Sequence, residues 1–244
     1  MVGVTSPRHR QGAPVQVLAH RGASRREREN TLMAFRVAAS LGAHAVELDA
    51  RPCADGSPVV HHDARLADGR AICEVAQSDL PDWVPSLAAA LDACAGMWVN
   101  VEVKNDESEP DFDPADRFME RVATELHSRG EDGRWLVSSF RRDTIDACRA
   151  VLPSVATAWL TVNVPADSAP SLAADLRVAG HSALHPWVGS LTREVVAAMH
   201  AEGLSVNPWT CDDPVRMAEI VDWGVDGICT NEPDVALGLL AGRR

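Results

Sequence analysis

The sequence predicts a single-domain (β/α)₈ TIM barrel, and three observations carry that expectation. β-rich runs alternate with helical patterns from one end to the other, about eight times. The 244-residue length suits one such barrel, and no low-complexity linker or break in composition divides it. The first strand–helix turn also lacks the glycine-rich fingerprint of a doubly wound sheet, the competing fold for this alternation. Residues 1–14 read as an N-terminal extension and 15–244 as the barrel domain.

In order, "VQVLAHR" (15–21) reads as a strand and "NTLMAFRVAASLG" (30–42) as a helix closed by Gly42. "AVELDARP" (45–52) is the second strand, and "SPVVHHD" (57–63) is a short extended return after the turn signal Asp55-Gly56. A helix near 86–96 leads to the strand "WVNVEVK" (98–104) and a helix over 114–130. The second half repeats the pattern, with strands at 134–140, 154–160, 182–187, 204–210 and 226–233. Helices follow them at 142–152, 168–178, 192–203, 213–224 and 234–241.

Composition narrows the function classes. The 46% apolar and 24% charged shares are those of an ordinary globular protein. With 23 basic against 35 acidic residues the net charge is −12, which disfavours nucleic acid and anionic membranes as partners. A local basic site can still take a small anionic substrate. The six cysteines include no CxxC pair, so neither a zinc ribbon nor a thioredoxin-like motif is expected. No apolar leader core and no run approaching about 18 apolar residues is present. The expectation is a cytoplasmic protein with reduced thiols and no stable membrane insertion.

The polar exceptions inside the strands carry the chemistry. Strand side chains alternate faces, so Glu47 and Asp49 share one face of the second strand while Val46 and Leu48 take the other. Glu102 and Lys104 share a face of the next long strand. His20 and Arg21 end the first strand, and His62 ends the return segment. In a barrel these positions collect at the C-terminal mouth, where active sites form. Three carboxylates brought together out of water repel one another, and a hard dication bound by oxygen removes the repulsion; Mg²⁺ and Ca²⁺ both suit. The alternative is a set of rim acids, each paired with an arginine.

A cation held by three carboxylates keeps a net charge of about −1, so an anionic substrate needs donors beside it. Arg21 offers a planar fork to phosphate and Lys104 a point charge. His20 and His62 can trade protons with the attacking and leaving oxygens near neutral pH. Together these are the parts of phosphodiester hydrolysis. His44, His127, His181 and His200 read as structural, and His61 as facing away from His62. Arg25, Arg26 and Arg28 read either as a solvated loop or as donors for a longer, more anionic substrate.

Five short motifs stand in order: "AHRG" (19–22), "ENT" (29–31) before a helix with Phe35, "ELD" (47–49), "VVHHD" (59–63) and "VEVK" (101–104). Together they resemble the glycerophosphodiester phosphodiesterase family, whose fold is a (β/α)₈ barrel. The likeness continues through "VNPWT" (206–210) and "DGICTNEP" (226–233). The resemblance implies His20 and His62 as the acid/base pair and Glu47, Asp49 and Glu102 as holders of one divalent cation. It implies phosphate contacts from Arg21 and Lys104, and Glu29 orienting Arg21. Trp209 becomes an aromatic that packs on the glycerol moiety. The implied substrate is a small-molecule glycerophosphodiester, cleaved to glycerol 3-phosphate and an alcohol by direct water attack or through a cyclic phosphate.

Three departures from the family pattern stand out. Arg28 replaces the usual proline before the Glu-Asn-Thr motif, the stretch after Asp63 keeps only Leu66 of its expected motif, and Asn231 stands where aspartate is common. The first expectation is that none touches the proposed metal or histidine positions. Two other functions use the same barrel. Lysophospholipase D-type hydrolysis of lysophospholipids would require an exposed apolar rim at the mouth. Non-catalytic binding of a phosphorylated metabolite would have no use for the histidine pair.

Overall fold

The computed structural model describes residues 12–243, so most of the expected N-terminal extension lies outside the described residues. Five of the strands are β1 (Gln16–His20), β2 (Ala45–Pro52), β4 (Trp98–Val103), β5 (Trp135–Ser139) and β6 (Ala156–Thr161). The others are β7 (Ala183–Pro186), β8 (Ser205–Val206) and β9 (Gly227–Thr230), with the return strand β3 (Pro58–Val60) outside the ring. The helices are α1 (Leu32–Leu41), α2 (Leu87–Ala93), α3 (Arg117–Ser128), α4 (Arg142–Val151), α5 (Ala169–Val178), α6 (Arg193–Ala201), α7 (Pro214–Trp223) and α8 (Pro233–Ala241).

The parallel strands run in the order β8-β7-β6-β5-β4-β2-β1-β9, and β3 pairs antiparallel with the end of β2. Backbone hydrogen bonds from Asp226 N–H to the Val206 carbonyl and from Cys229 N–H to the Pro208 carbonyl, both 3.0 Å, join the two ends. The ring is therefore nearly closed, as the alternation predicted. Local chemistry sets both ends of α1. Thr31 caps α1 by accepting the Ala34 N–H, and Gly42 ends it in the left-handed region at φ 87°.

Strand alternation sorts the core. Val46, Leu48 and Ala50 point outward against α1 and α2, packed with Phe35, Leu87 and Leu91. Complete burial of a side chain such as Leu48 or Phe35 contributes about 1.5–3 kcal/mol. Leu18, Ala45, Trp98 and Leu136 fill the lower barrel interior. A satellite cluster of Cys53, Leu66, Ile72, Val75, Leu80 and Val84 packs the connection after β3 into a small lobe with no domain of its own. All six cysteines are free thiols.

Several elements are shorter than expected, and the strand read over 226–233 is regular only at Gly227–Thr230, with Pro233 already opening α8. The strand expected over 204–210 is regular only at Ser205–Val206, because Pro208 has no N–H to give the ladder; pairing resumes at a single Trp187–Trp209 bridge. The return expected over 57–63 is a strand only at Pro58–Val60, after which His61 and His62 lie in the loop.

Candidate active site

At the mouth of the ring, β1, β2 and β4 present their inward rows side by side. His20 pairs in register with Glu47, and Asp49 with Glu102. One ligand oxygen from each of Glu47, Asp49 and Glu102 lies within 4.8 Å of the others, and all three residues are buried. Lys104 follows the end of β4 and places its ammonium 2.9 Å from Asp49 Oδ1 and 2.5 Å from Glu102 Oε1. Arg21 places Nε 3.2 Å from Asp49 Oδ2, and its Nη1 lies 3.0 Å from Glu29 Oε1.

The loop from β1 to α1 makes this arrangement possible. Arg21 and Asn30 both adopt left-handed backbone at φ 56°, and Asn30 N–H donates to the Arg21 carbonyl at 2.9 Å. That closure turns Asn30 inward, where its Nδ2 donates to Asp49 Oδ2 at 2.7 Å. Gly22 lies against α1 so tightly that an added Cβ would stand 2.7 Å from Ala34, so only glycine lets the loop lie there.

The carboxylates are not equivalent. Burial alone would raise Asp49, but Lys104 and Arg21 outweigh it and hold the group well below the ordinary carboxylate range. Glu47 moves the other way: burial, then repulsion from Asp49 and Glu102, drives its pKa well above the usual value. Burial also raises Glu102, with Lys104 opposing. Glu47 Oε2 accepts the Arg21 backbone N–H at 3.0 Å, whereas its buried Oε1 has no hydrogen-bond partner. Three acids meet two cations, and a buried acceptor faces inward without a donor. The hard, all-oxygen donor set therefore fits a divalent cation.

His20, Arg21, Glu47, His62, Glu102, Lys104 and Trp209 line one cavity of about 200 Å³. Burial, then the Arg21 charge, lowers the His20 pKa. His62 directs Nδ1 at Asp63 Oδ1, 2.7 Å away, and its backbone carbonyl accepts from Arg51 Nε at 2.8 Å. Trp209 hydrogen-bonds through Nε1 to the His185 carbonyl at 2.8 Å and packs edge-on against Phe140 at 5.4 Å.

A family model for the glycerophosphoryl diester phosphodiesterase family matches residues 20–235 of this chain. The chain belongs to that family. Among relatives of the glycerophosphoryl diester phosphodiesterase family, the Mycobacterium tuberculosis protein named "Probable glycerophosphodiester phosphodiesterase 2" is 30% identical, over 93% of this chain and 90% of that protein. The Bacillus altitudinis glycerophosphodiester phosphodiesterase is 27% identical over 91% of this chain and 96% of that one. A solved structure from Silicibacter pomeroyi superposes with a TM-score of 0.85 at 26% identity, covering 97% of this chain and 96% of that chain. An Oleispira antarctica phosphodiesterase, solved with its product sn-glycerol-3-phosphate, shares the fold at a TM-score of 0.83 and 24% identity, over 93% and 96% of the two chains. As a family member this chain is a phosphodiesterase of the glycerophosphodiester class.

Every residue singled out from the glycerophosphodiester phosphodiesterase motifs reaches this one region. Asp49 pairs with Arg21 and Lys104, and Glu29 reaches Arg21 from the loop; the other seven line the cavity itself. His44, His181 and His200 make structural hydrogen bonds with Val17, Thr157 and Asp226. His61 packs on Trp83 at 5.5 Å. Arg25 and Arg26 pair with Glu232 and Asp234, and Arg28 stacks on Trp83, so the chain's own residues take up those charges.

One expectation is overturned. Asn231 does touch a proposed histidine: its Oδ1 stands 2.7 Å from His20 Nδ1. The contact was hidden because it closes the ring between β1 and the segment after β9. Residues missed from the sequence include Arg51, Asn100, His185 and Asn207. Arg51 continues the inward row of Glu47 and Asp49, and Asn100 precedes Glu102 on the same face, so alternation alone could have found both. His185 and Asn207 form a buried pair at 3.0 Å in the cavity floor, and burial pushes His185 down to about 3. His185 was visible as a polar exception in an apolar strand.

Proposed function

We propose that this chain hydrolyses glycerophosphodiesters to glycerol 3-phosphate and an alcohol, using one divalent cation, Mg²⁺ or Ca²⁺, and a His20–His62 proton-transfer pair. The observation that carries this reading is the convergence of Glu47, Asp49 and Glu102 with Arg21, Lys104, His20 and His62 around one cavity. A cation held by the three carboxylates would polarise the phosphoryl oxygen and neutralise developing charge. Arg21 uses Nε and Nη1 on carboxylates, leaving Nη2 for a phosphate oxygen, and Lys104 keeps one of its three ammonium donors. His20 and His62 hold their Nδ1 atoms on Asn231 and Asp63, which leaves both Nε2 atoms for proton transfer. Trp209 offers an apolar wall to the glycerol carbons.

Six free cysteines and a −12 net charge support a reducing, cytoplasmic setting and a small-molecule substrate rather than nucleic acid. Among the described residues no helix is long and apolar enough to cross a membrane. The test is release of glycerol 3-phosphate from glycerophosphocholine with and without EDTA, then add-back of Mg²⁺ or Ca²⁺. Turnover that EDTA abolishes and one ion restores is expected; folded protein inactive with every ion would sink the reading.

A second reading, lysophospholipase D-type hydrolysis, is favoured by one observation. Phe140, Val162 and Trp187 follow β5, β6 and β7 at the mouth and are 45%, 56% and 44% exposed. Such a rim could hold an alkyl chain. Comparing kcat/KM for lysophosphatidylcholine and glycerophosphocholine separates the two.

A further inference from the structure

We propose that Asp212 and Asn231 are positioning residues that set the tautomer of His20, keeping the proton on Nδ1 and leaving Nε2 bare toward the cavity. The catalytic half of this inference rests on the function proposed above; the tautomer half does not.

The network has one consistent polarity. Asp212 Oδ1 accepts from Thr230 Oγ1 at 2.9 Å and from Asn231 N–H at 2.8 Å. Its Oδ2 accepts from Asn231 Nδ2 at 2.6 Å. A carboxylate that accepts three hydrogen bonds requires the amide NH₂ on its side, so Asn231 Oδ1 must face the other way. There it accepts from Ser24 Oγ at 2.9 Å and meets His20 Nδ1 at 2.7 Å. A carbonyl oxygen can only accept, so Nδ1 carries the hydrogen. In the neutral ring Nε2 then holds a lone pair, on the side where Glu47 Oε2 lies 4.0 Å away. A bare Nε2 is the form that can take a proton from a reacting oxygen, forming N–H as the O–H bond breaks, while Nδ1 keeps its own hydrogen on Asn231.

The two histidines are backed differently. A carboxylate, Asp63, stands behind His62, and a neutral amide stands behind His20, with the negative charge one residue further back on Asp212. The amide transmits orientation without placing a full charge on the ring.

Because the relay depends on polarity, exchanging its members tests it. In Asp212→Asn the new amide must keep its oxygen on the Asn231 backbone N–H, which sets its NH₂ against that of Asn231 at the position of the 2.6 Å bond, so Asn231 turns over and presents a donor to His20 Nδ1. The double variant Asp212→Asn/Asn231→Asp restores every donor–acceptor match. The readout is ¹⁵N NMR of ring nitrogens in the ¹⁵N-histidine-labelled full chain, with His20 assigned by its loss in His20→Gln. Wild type is expected to show a pyrrole-type Nδ1 and a pyridine-type Nε2. Asp212→Asn is expected to reverse or mix these and to lower kcat on glycerophosphocholine about 10²-fold or more, with KM within about threefold. The swap is expected to recover the wild-type tautomer and kcat to within about tenfold.

A wild-type His20 protonated on Nε2 would overturn the inference whatever the activity. So would Asp212→Asn with unchanged tautomer and kcat, or a folded swap variant with the tautomer still reversed. If Asp212→Asn fails to fold, the wild-type spectrum and the swap decide. Wild type inactive on every glycerophosphodiester would defeat the functional proposal alone, since the spectra still test the relay.

Discussion

Glu47 and Asp49, two residues apart on the same face of β2, sit at opposite electrostatic extremes. Asp49 is clasped by Lys104, Arg21 and Asn30 and stays ionised, whereas Glu47 keeps one buried oxygen without a partner and is pushed toward its neutral form. A site with one acid already compensated and another waiting for positive charge is poised to gain a cation.

This asymmetry predicts a pH-dependent stability. The Glu47 pKa is raised in the folded state, so its stabilising share is complete below its unfolded value, near the ordinary 4.5, and is lost as pH rises through the raised folded value. In metal-free protein, Glu47→Gln should raise Tm at neutral pH, by about 2–4 °C per kcal/mol recovered. The difference should vanish near pH 4, about the unperturbed glutamate range. Adding Mg²⁺ or Ca²⁺ should raise Tm of the wild type far more than that of the variant. Differential scanning calorimetry across pH, with and without metal, checks both signs.

The histidine pair should be separable from cation binding. His20→Ala and His62→Ala are each expected to lower kcat about 10²–10⁴-fold while the metal-induced rise in Tm survives. If either variant kept wild-type kcat with saturating metal, that histidine would have no part in proton transfer.

Arg51 predicts a structural loss with a catalytic echo. It is buried, lies 2.7 Å from the equally buried Asp111, pairs with Glu109 at 2.8 Å and holds the His62 carbonyl. Arg51→Met strands Asp111 without its cation, which should cost about 3–5 kcal/mol. Chemical denaturation should show that loss, and kcat should fall as His62 loses its anchor. A midpoint unchanged from wild type would show that Asp111 finds another partner.

The apolar rim separates the two substrate readings. If Val162 and Trp187 hold an alkyl chain, Val162→Ser/Trp187→Ser should lower kcat/KM for lysophosphatidylcholine about tenfold or more and leave glycerophosphocholine nearly untouched. Equal effects on both substrates would argue for a role in shaping the cavity instead.

Much of this protein is legible in the chain itself, because its decisive signals are local. The period-2 alternation in "VELDAR" and "VNVEVK" places acids on one face and valines on the other before any tertiary contact forms. Thr31, Gly42 and the Asp213-Pro214 pair mark helix ends within a few residues of themselves. Tertiary structure decided what depends on distant partners. Arg51 meets Asp111 across 60 residues, Asn30 meets Asp49 across 19, and His20 meets Asn231 across 211. Closing the barrel brings its first strand beside its last, and side-chain polarity there follows from hydrogen-bond satisfaction among groups that no local window contains. The strand pattern put His20 at the mouth. Only the ring placed an amide, itself held by Asp212, behind it.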